Sequence, residues 1–305
     1  MKKSKKILSL LMVMIVAIGL FVSCGNSNVT MMDREGNEFT LPENVEKIIS
    51  TAPSNTEILV GLGLADKLVA VDQYSEGLEG VSEALPKLDL VNPDLETILE
   101  LDPDIIVASG QNVVGDNDPF ALIKEAGIVV VYIPNSSSIE EIYNDIEFIA
   151  TVTGTKDIGE EIVDSMKKEV EKVAAIGKKI TDKKKVYFEI GSIPSLYSFG
   201  GDTFLNEMIE IIGAENIFAE EEAWITANPE AIIAANPDVI LTNELEFNGV
   251  NIVDEIKKRD GWDSIKAIQD GAVYRIDTDS SSRPTQNIIK ALKEMAEAIY
   301  PNEYK

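Results

Sequence analysis

The sequence predicts an α/β protein of two lobes, each a mostly parallel sheet flanked by helices, joined by one long helix with a cleft between the lobes. Three observations support this fold. The apolar runs that we interpret as strands are continuous rather than alternating, as is typical of parallel strands buried on both faces. Helical patterns separate these runs. One long amphipathic segment lies between two halves that repeat the same order of elements.

The first lobe is predicted to span 45–153. Ser54 followed by Glu57 has the pattern of a capping box and predicts a helix that ends near Gly61–Gly63. Ser138 and Glu141 predict the start of another helix at 139 in the same way. The remaining elements of this lobe are strands at 47–51, 68–72, 104–109 and 128–133, a helix at 94–101 and a helix that ends at 127.

The second lobe is predicted to span 184–305, with a linking segment at 154–183 before it. Within the linking segment, residues 157–180 carry an apolar stripe at spacings of three and four, formed by Ile158, Ile162, Met166, Val170 and Val173. Such a stripe predicts one helix about 36 Å long, at ~1.5 Å per residue. The second lobe then repeats the rhythm with strands at 186–190 and 272–276, helices at 202–212, 251–258 and 285–299, and a helix–strand unit within 228–243.

The N-terminal segment predicts export and anchoring. Four lysines precede an uncharged apolar stretch at 7–22, which is too short for a membrane span of ~20 residues and typical of a signal peptide, here 1–23. Cys24, the only cysteine, stands where this stretch meets a polar tether at 24–44. The alternative is a small buried hydrophobe. The stretch resembles a bacterial lipoprotein box, which implies lipid modification of Cys24 and a membrane-anchored, extracytoplasmic protein.

The charge balance of the chain, its lack of histidine and its single cysteine exclude several classes of function. Without the four leader lysines, 23 basic residues face 53 acidic ones, a net charge of −30. That charge repels nucleic acid. The chain contains no histidine, which excludes zinc or manganese sites with histidine ligands, Ser-His-Asp and Cys-His catalysis, and an axial histidine on haem. A single cysteine excludes a disulfide within the chain.

Five stretches resemble a known family in the right order, with the long helix between the second and the third. They are NVEKIISTAPSNTEILVGLGLADKLVAV, PDLETILELDPDIIV, GGDTFLNEMIEIIGAENIFAE, WITANPEAIIAANPDVIL and SSRPTQNIIKALKEMAEAIYP. The resemblance covers roughly 29–300. The chain is similar to the substrate-binding lipoproteins of ABC importers of the helical-backbone kind, which carry cobalamin, ferric siderophores or haem.

The resemblance implies a docking role for a pair of carboxylates. In this family each lobe presents a surface glutamate at the start of the helix that precedes its Pro-Asp strand, and the pair binds arginine pockets on the permease dimer. Counting back from Pro-Asp gives Glu96 and Glu230. Counting forward from Asn-Pro pairs Asp94 with Glu230 instead, and we prefer the first count because a loop absorbs insertions easily. The alternative role is to complement the helix dipole, worth ~0.3–1 kcal/mol.

The resemblance also implies a ligand site lined by aromatic side chains. Cobalamin-binding relatives carry aromatic residues in the loops after the strands, and Tyr74, Tyr197 and Trp224 fall on matching positions. Trp224 and Tyr74 are expected to face each other across the cleft. Leu90 stands where such relatives can carry a second tryptophan, so one wall is expected to be apolar but not aromatic. Ordinary packing is the alternative for each aromatic residue. Two roles are open for Arg283: it contacts the ligand, or it holds its own loop in place against nearby acidic residues.

The function implied is capture of a bulky metal chelate and its delivery to an ABC permease dimer, by a monomer that catalyses no reaction. The ligand would bring its own cobalt or iron, so neither a resident cofactor nor a metal site of the protein is expected. Few basic residues lie near the loops, so a neutral corrinoid or a hydroxamate chelate fits better than an anionic ferric catecholate. The alternatives are a metal-binding or chelatase-type enzyme on the same fold, and an adhesive lipoprotein.

Overall fold

The computed structural model describes residues 29–89, 91–113, 115, 117–246 and 249–305. Cys24 and Leu90 lie outside these residues. The first lobe and its N-terminal hairpin contain seven strands and four helices among the described residues. In chain order these are β1 (Thr30–Met32), β2 (Glu38–Thr40), β3 (Ile48–Ser50), α1 (Pro53–Gly61), β4 (Leu68–Asp72), β5 (Lys87–Leu88), α2 (Leu95–Leu101), β6 (Ile105–Ser109), α3 (Ala121–Glu125), β7 (Val129–Ile133) and α4 (Ile139–Val152).

The linking helix and the second lobe follow in the same alternating order. They comprise α5 (Lys156–Gly177), β8 (Lys185–Glu189), β9 (Tyr197–Phe199), α6 (Phe204–Ile212), β10 (Glu215–Asn216), β11 (Trp224–Thr226), α7 (Pro229–Ala235), β12 (Val239–Thr242), α8 (Ile252–Lys257), α9 (Lys266–Gln269), β13 (Val273–Arg275), α10 (Thr278–Ser282) and α11 (Ile288–Ile299).

Each lobe contains one parallel sheet, as the continuous apolar runs predict. The first sheet has the strand order β5-β4-β3-β6-β7, and the second has the order β10-β8-β12-β13. Every pairing within these two sheets is parallel. Strands β3, β6, β8 and β12 contain only buried residues apart from the first residue of β8, because helices cover both faces of each sheet. The predicted fold class is therefore confirmed.

The linking helix α5 is 22 residues long, slightly shorter than the predicted 157–180. It packs against α4 of the first lobe and against α6 and α11 of the second. Met166 and Val173 of the predicted stripe are buried and Ile162 and Val170 are partly buried, whereas Ile158, at the first turn, remains 43% exposed. Val163, outside the predicted stripe, is also buried. Its length at ~1.5 Å per residue is about 33 Å. None of the helices within the described ranges is both long and apolar enough to cross a membrane.

The predicted capping box at the start of α1 is wrong. The helix begins at Pro53, which has no N–H to satisfy and a backbone φ already suited to the first turn. Its N-cap residue, Ala52, offers no side-chain hydrogen bond. Ser54 therefore lies inside the helix, and the Glu57 carboxylate is free to accept hydrogen bonds from the second lobe.

The N-terminal hairpin of β1 and β2 is an element that the apolar pattern does not predict. Two contacts attach this hairpin to the first lobe. Asp33 accepts a hydrogen bond from the backbone N–H of Tyr132 at 2.9 Å, and Arg34 forms an ion pair with Asp145 at 2.6 Å. Asp145 is buried in α4, and this burial raises the pKa of its carboxyl group. The segment that follows Cys24 is thus held against the first lobe from residue 30 onward.

Candidate ligand-binding cleft

A cavity of about 380 Å³ opens in the second lobe where its strands end. Its wall contains Ile190, directly after β8, residues 243–245, directly after β12, and three residues of α10. Ligands of open parallel α/β sheets bind outside the carboxyl ends of the strands. The cavity therefore lies where this architecture places ligands, and its volume falls within the usual ~300–1,000 Å³ range of small-molecule sites.

Trp224 is the aromatic side chain of this cavity. It begins β11, which pairs antiparallel with β9 in a two-stranded ribbon, and it lies opposite Phe199. The ring of buried Phe199 meets the indole edge to face at 6.1 Å, so one part of the indole is supported by the core. Trp224 is nevertheless 55% exposed. A large aromatic residue held in place yet exposed toward a cavity is suited to cover the face of a ligand.

The sequence before Trp224 explains how the ribbon is held. A Cβ atom at Gly200 would lie 2.0 Å from the backbone oxygen of Glu221, and one at Gly201 would lie 2.3 Å from the oxygen of Ala219. Only glycines allow the 219–223 loop to lie so close to the end of β9. Ala223 has a φ of +55°, a left-handed conformation that costs an L-residue about 1–2 kcal/mol. Such strain is characteristic of segments whose conformation serves a site.

Part of the cavity wall is polar. The Asn243 side chain donates to the Ser281 and Ser282 hydroxyls at 3.1 Å each, and Thr278 donates to the Asn243 backbone oxygen at 2.5 Å. Glu244 adds a carboxylate to the same wall. Burial, together with the neighbouring Glu189 carboxylate, raises the pKa of Glu244. This wall therefore offers hydroxyls and a carboxylate to a ligand.

Tyr74 and Tyr197, the other predicted aromatic contacts, are exposed but do not line the cavity of Trp224 as far as the described residues show. Tyr197 is 46% exposed and begins β9, so it lies on the ribbon rather than in a loop. Tyr74 is 59% exposed and belongs to the first lobe. The buried Asp72 carboxylate accepts the Tyr74 N–H at 2.8 Å and thereby fixes the turn after β4. A shared role of these rings in one ligand site stays a prediction.

A buried ion pair supports the end of β8, and sequence reasoning did not find it. Arg259 donates two parallel hydrogen bonds to Glu189, at 2.7 and 2.9 Å, and also pairs with Glu255 at 2.6 Å. The guanidinium lies 4.5 Å from the ring centre of buried Trp262. A bidentate pair of this kind fixes geometry as well as charge. Ile190, the next residue after Glu189, is thereby held where it lines the cavity.

The contacts of Arg283 connect its loop to the first lobe. Its guanidinium pairs with Glu57 of the first lobe at 2.5 Å and with Asp279 at 2.9 Å. Beside this contact lies an interlobe cavity of about 580 Å³, lined by Glu57 and by Asp277, Asp279 and Lys290 of the second lobe among others. Burial alone would raise the pKa of Asp277, but the hydrogen bonds from Lys290 and Ser280, together with the charge of Lys290, outweigh it and lower the pKa to about 2. A direct contact between Arg283 and ligand stays a prediction.

The two candidate docking helices are built alike. Asp94 and Asn228 are the N-cap residues of α2 and α7, and their side chains accept the backbone N–H of Glu96 at 3.1 Å and of Glu230 at 2.8 Å. Both helices end in a left-handed residue with a φ close to +50°. In the Pro-Asp pairs that follow, both aspartates accept an N–H from the start of the neighbouring strand at 2.8 Å.

These matching positions decide which acidic residues of the two lobes are structurally equivalent. Asp94 corresponds to Asn228, since both cap a helix, and Glu96 corresponds to Glu230. Asp94 is further engaged by the Thr97 hydroxyl at 2.6 Å, and this hydrogen bond lowers the pKa of Asp94. Glu96 and Glu230 are both exposed. The count from Pro-Asp is thus the structurally consistent one, whereas the contact of either glutamate with a permease stays a prediction.

No group of three or more acidic side chains among the described residues is arranged to hold a metal ion. The carboxylates of the cleft instead contact cations of the protein, as Glu57 does with Arg283 and Asp277 with Lys290. The arrangement is suited to binding a bulky, partly apolar ligand. The ligand surface would be formed by an exposed indole, a hydroxyl-rich wall and the cleft between the two lobes.

Comparison with known proteins agrees with this geometry. Residues 48–280 match the family described as periplasmic binding protein. The chain is 32% identical to YvrC of Bacillus subtilis, an uncharacterized ABC transporter substrate-binding lipoprotein, over 91% of this chain and 87% of that one. It is 25% identical to the vitamin B12-binding protein of Vibrio parahaemolyticus, over 84% and 90% of the two chains.

A solved structure shows the same fold. A possible iron-binding, periplasmic solute-binding protein of Staphylococcus epidermidis is 32% identical and superimposes with a TM-score of 0.74, over 85% of this chain and all of that one. The family match covers most of the two lobes, and the similarity to YvrC extends over nearly the whole chain. The chain therefore belongs to the periplasmic binding protein family and is the substrate-binding protein of an ABC transporter.

Proposed function

We propose that this protein captures a bulky metal chelate, a corrinoid or a ferric siderophore of low negative charge, in the cleft and delivers it to an ABC importer. The observation that carries the proposal is Trp224, which is 55% exposed at the wall of the second-lobe cavity. Flat or rounded chelates offer an apolar face that an indole covers well. The cavity alone is small for such a ligand, so the rest of the ligand would extend into the cleft toward the first lobe.

The charges of the cleft support a ligand without many negative groups. Glu244 lines the Trp224 cavity, and its raised pKa reflects burial and a nearby carboxylate. The cations beside the cleft, Arg283 and Lys290, are already paired with carboxylates. An anionic ligand would meet repulsion that these cations do not offset. A ligand that carries amide or hydroxyl donors would instead form hydrogen bonds with the polar wall.

The test is a titration series followed by tryptophan fluorescence and checked by equilibrium dialysis. The ligands are cyanocobalamin, cobinamide, haemin, a ferric trihydroxamate and a ferric tricatecholate. We expect saturable binding of a corrinoid or of the hydroxamate, with the tricatecholate at least about tenfold weaker because its negative charges meet an acidic wall. Failure of all five to bind, or preference for the tricatecholate, would contradict the proposal.

A variant separates the two fluorescence signals of this titration. The chain has two tryptophans, and Trp262 is 3% exposed in the core beneath Arg259. Trp262→Phe leaves Trp224 as the only reporter. Quenching by contact with the ligand should persist in this variant, whereas in Trp224→Phe only energy transfer from Trp262 to the ligand would remain.

We also infer that lipid-modified Cys24 holds the protein at the membrane surface. The described chain begins five residues later, at Val29, beside a hairpin that is attached to the first lobe and contributes no lining residue to the Trp224 cavity or to the interlobe cavity. Two or three acyl chains would anchor it firmly, at ~0.8 kcal/mol per buried methylene. Anchoring and ligand binding would then be independent.

Substitution of the cysteine tests that independence. Cys24→Ser should release the protein from membranes or leave it uncleaved, while a soluble form that begins at Gly25 binds the chelate with unchanged affinity. Membrane fractionation after a wash in high salt measures the first effect, and titration measures the second. A normally processed Cys24→Ser protein that still sediments with membranes would show that another feature provides the anchor.

A further inference from the structure

One buried carboxylate joins the two lobes. Glu57, in α1 of the first lobe, is 8% exposed. Three side chains of the 283–287 segment in the second lobe donate to it: Arg283 to one carboxylate oxygen at 2.5 Å, and Thr285 and Asn287 to the other at 2.9 and 2.8 Å. Both oxygens of the carboxylate are therefore occupied by donors from the opposite lobe.

The backbone of α1 takes part in the same contact. The Gln286 side-chain amide donates to the Glu57 backbone oxygen at 2.9 Å. Gly61, four residues further along the helix, leaves room for this side chain, since a Cβ atom there would lie 2.7 Å from the Gln286 nitrogen. Every residue from 285 to 287 thus contributes a side chain to the contact. We call the set formed by Glu57, Gly61, Arg283 and residues 285–287 the interlobe latch.

The chemistry of the latch makes it sensitive to lobe position. A buried carboxylate is stable only while its hydrogen-bond donors are present. Arg283, Thr285 and Asn287 all belong to the second lobe, so separation of the lobes would leave the carboxylate without these three donors. Arg283 would retain only its pair with Asp279, which lies in its own lobe. Exposed contacts between the lobes do not have this free-energy cost, because water replaces the lost hydrogen bonds when the lobes separate.

We propose that Glu57 is a positioning residue that holds the two lobes in one orientation before ligand arrives, and so determines the width of the cleft and the separation of Glu96 and Glu230. The consequence for docking depends on the proposed function, whereas the latch itself does not. The ligand then binds to a preformed cleft and pays little for lobe closure. Loss of the latch would spread the lobes over several orientations, of which only a fraction is competent to bind.

The test measures the distance between the lobes directly, without ligand or permease. Spin labels are attached at Glu100→Cys in α2 and Ala234→Cys in α7, in the form that begins at Gly25 and lacks the native cysteine. Both positions are exposed, and they occupy equivalent places in the two docking helices. Pulsed dipolar spectroscopy of the otherwise native protein should give one narrow distance distribution. Glu57→Ala should broaden the distribution at least about twofold.

A matched control separates the latch from the charge of Arg283. Asp279→Asn removes the second partner of Arg283 but leaves every contact between the lobes in place. Its distance distribution should remain narrow. Glu57→Gln, which keeps an acceptor for Thr285 and Asn287 but loses the ion pair, should give an intermediate width. A broadened distribution in Asp279→Asn, or an unchanged one in folded Glu57→Ala, would overturn the proposal.

A second variant keeps the test decisive if Glu57→Ala fails to fold. The double substitution Thr285→Val with Asn287→Ala removes two donors and preserves the buried ion pair. Broadening in this protein supports the latch, and a native distribution overturns it. Since the measurement uses no chelate, the outcome is independent of the titration series, and either proposal can fail while the other holds.

Discussion

Replacing Trp224 with alanine is expected to weaken binding of the chelate about 30- to 150-fold, because loss of a large aromatic contact costs about 2–3 kcal/mol. The melting temperature should change little. The indole is 55% exposed in the empty cleft, and the core contact it makes is the edge of Phe199. Titration of the chelate that binds in the series above measures the affinity, and thermal unfolding measures the stability.

The second tryptophan provides a control with the opposite expectation. Trp262 is buried in the second lobe, where its ring contacts Tyr187 and the Arg259 guanidinium. Trp262→Ala should therefore lower the melting temperature by several degrees, as a large-to-small core substitution does, and leave the affinity of the folded protein nearly unchanged. If Trp224→Ala instead shows this second pattern, its role is packing and the ligand contact is wrong.

The regular part of the fold could be predicted from the sequence because local pattern and tertiary burial agree there. Continuous apolar runs such as 104–109 and 128–133 become strands covered on both faces, β6 and β7. The spacing of the predicted stripe places Met166 and Val173 on the buried face of α5, with Ile162 and Val170 partly buried beside them. The repeated Pro-Asp unit also locates two equivalent helices, since each aspartate binds the start of the neighbouring strand in the same way.

The parts that the sequence did not predict depend on partners far away in the chain. Glu57 has the spacing of a capping residue, yet its donors lie about 230 residues later, and no local pattern shows them. The Arg259–Glu189 pair joins residues 70 apart. The ribbon of β9 and β11 has only three residues on each strand, too few for a period to appear, so Tyr197 and Trp224 were expected in loops.

The double substitution of Glu96 and Glu230 by alanine is expected to abolish uptake of the chelate, while each single substitution reduces it partially. One exposed ion pair is worth ~0.2–1 kcal/mol and a better desolvated one several, so the remaining carboxylate would still orient the protein on the permease dimer that the family resemblance implies. Losing both removes orientation as well as attraction. The affinity for the chelate and the melting temperature should stay unchanged, because both side chains are exposed.

The structure supplies a matched control for the charge of Asp94, which lies two residues before Glu96. Asp94 caps α2 as Asn228 caps α7, so Asp94→Asn removes one negative charge and retains a side chain that caps the equivalent helix. Asp94→Ala would confound the two effects, since loss of a cap costs about 0.5–2 kcal/mol. Uptake should remain normal in Asp94→Asn. Reduced uptake in this variant, with normal uptake in Glu96→Ala, would make Asp94 the docking residue of the first lobe.

Reversal of charge distinguishes docking from stabilisation of the helices. Lysine at position 96 or 230 would place a cation against the arginines expected on the permease, so uptake should fall below that of the alanine variant. If the two carboxylates only complement the helix dipoles, the substitutions change stability by at most about 1 kcal/mol and leave uptake of the folded protein intact. Normal uptake by the double alanine variant would therefore mean that the unit occurs twice because each lobe folds that way, and docking would have to use other residues.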